Sequence, residues 1–328
     1  MLISTSCIVD ESGHEKGADC SSQDDCSITT PPAKRRKRIE DPFCRYKKYL
    51  QLCYEDEGGI AYDDKLLISP CSEFISLKLV LPESKLHGGT NRDTPPEIPI
   101  KMEDIVSGGS HFVRLEGSPG IGKSTLCREL CRKWEQLFSH FEIVKLVRLR
   151  EERIQNATKL SQIFYHDDKK LCERVESKMR ACSGKGVLLI LDGFDEMPPS
   201  LVKNKCSLIM PLISHDILPE ATRLVTTRPQ DLKQECFPRK FRHIKIHGFT
   251  EESITKYAEG AFQSETKVLT DFKQFLVSNP VIRSFMSIPM NCAIIVEVYK
   301  DIRNSNRRPH HDTALRDVGS CLDQEAHD

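Results

Sequence analysis

Hydrophobic and polar positions along the chain change rhythm several times. Residues 1–42 show no apolar periodicity and are rich in Ser, Asp, Cys and Pro, which predicts a disordered segment. YKKYLQLCY predicts a helix, and FISLKLVL alternates like a strand. GGTNRDTPPEIPIK, residues 88–101, reads as a linker because Gly and Pro break both periods. From 111 to 248 strands and helices alternate. HFVRLEG, IVKLVRLR, GVLLILDG, TRLVTTRP and HIKIHGF are strand-like. Helices are expected over Lys123–Leu137, around 159–181 and over Leu201–Ile213. This alternation predicts an α/β fold with a parallel sheet covered on both faces. After Gly248, Thr250 reads as a helix cap followed by acidic Glu251 and Glu252, and two more helices are expected near 267–277 and 281–300. Residues 249–303 therefore form a small helical domain, and 304–328 an irregular tail. The expected divisions are 1–42, 43–101, 102–248, 249–303 and 304–328.

Composition narrows the function classes. Lys plus Arg and Asp plus Glu are both 48, so a dedicated nucleic-acid coat is not expected. No apolar run is long enough to span a membrane, and the N-terminus lacks the basic region of a secretory signal. The 14 cysteines are scattered without a CxxC pair, which favours reduced thiols in the cytosol. The basic run Lys34–Arg38 reads either as a nuclear import signal or as a solvated charge block.

The chemistry concentrates in three segments. GSPGIGKST fits G-x-x-x-x-G-K-[ST] and comprises Gly117, Ser118, Pro119, Gly120, Ile121, Gly122, Lys123, Ser124 and Thr125. Its glycines let backbone N–H groups curl around phosphate oxygens, and the following helix points its positive end at the anion. Lys123 would reach the β/γ-phosphates, and the Ser124 hydroxyl would ligate Mg²⁺. VLLILDGFDEMP is a buried strand ending in Asp192, a Mg²⁺-holding carboxylate in such folds. Asp195 and Glu196 follow and could polarise an attacking water. An ordinary acidic turn is the plainer alternative. In TRLVTTRPQ, Arg228 stands past a strand end as a γ-phosphate sensor or as a surface Arg; Thr226 and Thr227 are weaker candidates. No Asn-Lys-x-Asp guanine reader occurs, which favours ATP over GTP.

These segments, with HGFTEESITKYAEGAF and NPVIRSFMSIPMNC, resemble the NACHT family of signal-transducing P-loop ATPases found in NOD-like receptors. The resemblance covers about residues 105–300. It implies that Lys123, Ser124 and Thr125 bind phosphate and Mg²⁺, that Asp192 holds Mg²⁺ indirectly, and that Asp195 and Glu196 support hydrolysis. It further implies that Arg228 is a sensor and that Pro289 contacts adenine. ATP or ADP with Mg²⁺ would be the ligands, and other NACHT proteins, as homo- or hetero-oligomers, the partners. No membrane and no specific nucleic acid are expected as partners. The family's winged-helix domain and leucine-rich repeats are not visible, so a truncated form is expected. Three readings follow: a cytosolic switch with slow ATP hydrolysis in innate-immune-like signalling, a non-catalytic fragment that regulates full-length relatives, and, third, a small-molecule kinase.

Overall fold

The computed structural model describes residues 40–56, 73–82, 97–107, 109–203, 207–229, 237–238, 240–263 and 265–306. The basic run Lys34–Arg38 and the tail from 307 onward lie outside the described residues.

Seven strands form one sheet: β1 Lys78–Pro82, β2 Glu97–Ile100, β3 Phe112–Glu116, β4 Ile143–Arg148, β5 Val187–Asp192, β6 Thr222–Thr227 and β7 Arg242–Gly248. Their order is β2-β1-β7-β3-β6-β5-β4. The five strands from β7 to β4 run parallel. Every residue of β5 and β6 is buried, as expected for central strands covered by helices on both faces. The parallel sheet expected over 111–248 is present, and β1, outside that span, extends it by pairing antiparallel with both β7 and β2. Residues 97–100, expected within the linker, are the edge strand β2. Pro99 fits there because an edge leaves one backbone side without a ladder partner.

The long helices are α1 Pro42–Asp56, α2 Lys123–Arg132, α3 Lys169–Ala181, α4 Glu251–Ala261, α5 Thr266–Ser278, α6 Pro280–Phe285 and α7 Pro289–Asn306. The helix expected over 123–137 breaks at Lys133, and Trp134–Leu137 is a separate turn. The helix expected over 201–213 is not continuous. Ser207 and Leu208 lie outside any helix, and the Ser207 hydroxyl accepts the Ile209 N–H to start a new short one.

Helix α1 covers the free edge of β4. The Tyr54 hydroxyl donates to the Val144 carbonyl at 3.1 Å and accepts the Leu146 N–H at 3.0 Å. These are backbone groups that an exposed edge strand would leave unpaired. Asp41, expected in the disordered segment, receives the Lys178 ammonium of α3 at 2.8 Å.

Two apolar cores result. One surrounds the sheet; the other gathers Ile254, Tyr257, Phe262, Phe272, Met286 and Val296 from α4, α5, α7 and the turn after α6. Thr250 caps α4 as expected, its hydroxyl accepting the Ser253 N–H at 3.1 Å. The two cores meet at Gly248. Its φ is +81°, and a Cβ there would lie 2.1 Å from the Ser287 carbonyl oxygen, so only Gly permits this approach.

Candidate functional site

Strand order brings the three chemical segments to the carboxyl edge of the parallel strands, where open α/β sheets place their ligand crevice. The glycine-rich loop leaves β3, Asp192 ends β5, and Thr226 and Thr227 end β6. The Gly117 N–H donates to the Thr227 carbonyl at 3.1 Å, tying the loop to β6. The loop then closes at the N-terminus of α2, where Gly122 takes φ +97°.

Lys123 is half-buried, and its ammonium donates to the carbonyls of Gly117 at 2.7 Å and Ser118 at 3.0 Å. The side chain therefore spans the loop it belongs to. Burial pulls the Lys123 ammonium below its ordinary pKa range; Asp195 opposes this, Arg228 adds to it, and Asp192 and Glu196 oppose it further. One cation and three carboxylates thus share a field with a second cation, and the sequence-predicted residues converge.

Asp192 is not on the strand next to the loop, because β6 lies between β3 and β5. That intervening strand supplies Thr226. Its hydroxyl donates to Asp192 Oδ1 at 2.7 Å and accepts the Gly193 N–H at 2.8 Å. The buried Cys127 thiol also faces Asp192 Oδ1, at 3.9 Å. Asp192 is therefore held in one rotamer by the strand that separates it from the loop. Thr226, only a weak sequence candidate, is the residue that fixes it.

Asp195 and Arg228 form a pair. Arg228 Nε lies 2.8 Å from Asp195 Oδ2, and the Arg228 backbone N–H donates to Asp195 Oδ1 at 3.1 Å. The Asp195 side chain is 3% exposed and that of Arg228 43%, so the carboxylate is the fixed partner and the guanidinium is open to solvent on one side. Glu196 is exposed at the same turn. Ser118 and Pro119 are exposed, whereas Ser124 and Thr125 are half-buried on the first turn of α2. A hydroxyl and carboxylates are the oxygen donors that a hard cation such as Mg²⁺ takes, so Ser124 and Asp192 suit it chemically.

The helical part reaches the same loop. Pro289 is buried, and a Cβ placed on Gly122 would lie 3.8 Å from Pro289 Cγ. The next residue was not singled out in the sequence. The Met290 N–H donates to the Gly120 carbonyl at 3.3 Å, and a Cβ on Gly120 would lie 3.0 Å from Met290 Cβ and Cε. Ile288 and the first two residues of α7, Pro289 and Met290, thus rest on the glycines of the loop. An apolar residue after a proline gave no sequence signal for this.

The family described as "NACHT domain" matches residues 111–265. "NACHT, LRR and PYD domains-containing protein 3" of Macaca mulatta is 26% identical over 308 residues, covering 83% of this chain and 29% of the relative. "NACHT, LRR and PYD domains-containing protein 10" of Homo sapiens is 28% identical over 272 residues, covering 76% of this chain and 40% of the relative. The chain therefore spans well under half the length of either. The solved structure of C. elegans PCH-2 aligns over 62% of this chain and 66% of that chain at 12% identity, with a TM-score of 0.34.

Proposed function

We propose, from the match of residues 111–265 to the NACHT domain, that this chain is an ATP-binding regulatory ATPase acting as a nucleotide-dependent switch in innate-immune-type signalling. The observation that carries the reading is the Arg228–Asp195 pair, held in the same field as Lys123. Lys123 and the loop N–H groups bind the β-phosphate end common to ADP and ATP. Arg228, open on one side, turns toward a γ-phosphate and leaves Asp195 when ATP replaces ADP. Exchange of one ion pair for another gives the two nucleotides different contacts, which is what a population shift requires. Mg²⁺ supplies charge neutralisation between the phosphates when bound, and Ser124 and Asp192 are the residues to hold it. Glu196, exposed beside Asp195, is the group to orient water, and Pro289 and Met290 lie at the nucleotide's remaining side.

In the whole-protein context we place the chain in the cytosol, assembling with itself or with other NACHT-bearing chains. The test is turnover of Mg-ATP by the wild type and by Glu196→Gln. Slow turnover, lost in Glu196→Gln while nucleotide stays bound, supports a hydrolytic switch. Bound nucleotide with no turnover in either protein favours a non-catalytic regulator of longer relatives.

A further inference from the structure

A cavity lies beside α2 and the edge strands, lined by Leu126 of α2, Leu79 of β1 and Ile100 of β2. Its volume is about 370 Å³, within the usual range for small-molecule sites. Its apolar lining is Leu77, Leu79, Ile100, Met102, Leu126 and Leu137. Four polar residues complete the lining: Ser76, Lys101, Glu103 and Lys133. Lys101 is exposed, and Lys133 lies 3.0 Å from Glu129 with 36% of its side chain exposed, which leaves its ammonium room for a second partner. Among the side chains lining the cavity, two cations stand against one carboxylate.

We propose that this cavity binds a small monoanionic amphiphile, an aliphatic chain ending in a carboxylate, and that its occupancy is felt at the loop. The six apolar side chains match an aliphatic body, and Ser76 is the one uncharged polar residue among the lining. A single carboxylate meets the ammoniums of Lys101 and Lys133. A cationic head would face both ammoniums. The link to the loop is steric. Leu77 Cδ1 would be 3.1 Å from a Cβ on Gly122, and the Leu126 N–H donates to the Gly122 carbonyl at 2.9 Å. A ligand that displaces Leu77 or Leu126 therefore moves the residue that starts α2.

The test uses the full chain and sodium decanoate below its micelle concentration. Calorimetry should show saturable binding of one decanoate per chain, with decylammonium at least tenfold weaker. Ile100→Trp, at a half-buried position on the edge strand, fills the cavity and should abolish binding. Lys101→Glu, at an exposed position, should weaken it severalfold, and serves if Ile100→Trp does not fold. No saturable binding by folded wild type, equal binding of decylammonium, or full binding by folded Ile100→Trp overturns the site. Release of a fluorescent ADP analogue, followed with and without decanoate, reads the coupling and alone rests on the nucleotide proposal. An unchanged release rate at saturating decanoate overturns the coupling and leaves the site standing.

Discussion

Thr226 on β6 holds Asp192 at the end of β5, with 2.7 Å between hydroxyl and carboxylate, and accepts the Gly193 N–H through the same oxygen. Thr226→Val keeps the shape and removes both bonds. A buried carboxylate and a buried N–H each lose a partner, which costs about 2 kcal/mol. The melting temperature should fall by roughly 4–8 °C, and Thr226→Ser should recover most of it. Scanning calorimetry on the three proteins decides this.

Arg223 is the least expected residue of the sheet. It is fully buried on β6, and its guanidinium donates to the carbonyls of Leu212, Ala221, Ile217 and Leu218. It thereby closes the end of a short helix and the loop leading into β6. Arg223→Met fills similar volume but leaves those carbonyls without the cation. The cost is on the order of 3 kcal/mol, or roughly 6–12 °C in melting temperature. An unchanged melting curve would show that the carbonyls find other donors.

In the proposed switch, the Arg228–Asp195 pair carries the discrimination between nucleotides. Arg228→Ala should leave ADP affinity nearly unchanged and weaken ATP roughly tenfold, the worth of one charge-assisted contact. Equilibrium titration with both nucleotides measures the ratio. Equal loss for ADP and ATP would assign Arg228 to general phosphate attraction instead.

Acid should reach the fold through Glu116 at the end of β3. The His243 ring beside it, burial notwithstanding, holds its carboxyl below the ordinary value of 4.5, with Arg114 adding to the effect. His243 Nε2 is 3.2 Å and Arg114 Nη2 2.6 Å from Glu116 Oε2. A carboxylate with a lowered folded pKa contributes its full stability above the unfolded value and loses it as pH falls through the folded one. Wild type should therefore exceed Glu116→Gln in melting temperature at pH 6, and the gap should close below pH 4.5. A gap constant from pH 6 to 3 would contradict the assignment.

Much of this was legible in the sequence, for reasons that are local. Gly117–Thr125 and Asp192–Glu196 declare themselves because phosphate chemistry restricts residue type and spacing, and the flanking apolar runs fix β3 and β5. The rest depends on partners remote in sequence. Arg223 reads as a surface charge until its carbonyls are seen, and Tyr54 reads as an ordinary helix residue until β4 is placed beside it. Strand β2 hides in a Pro-rich stretch because an edge strand tolerates Pro99. Thr226 gains its role only because β6 inserts between β3 and β5, an order that local pattern does not encode. Met290 follows the same logic, since nothing near it in the chain announces contact with Gly120.

The central claim is that the loop at Gly117–Thr125 holds nucleotide through Lys123. The direct measurement is to denature the purified full chain and to identify and count the nucleotide released, alongside Lys123→Ala. Near-stoichiometric ADP or ATP from the wild type is expected, with little from Lys123→Ala and with the mutant's thermal transition in nucleotide-free buffer retained. Wild-type protein that releases none, and that also ignores added Mg-ATP, would contradict the account.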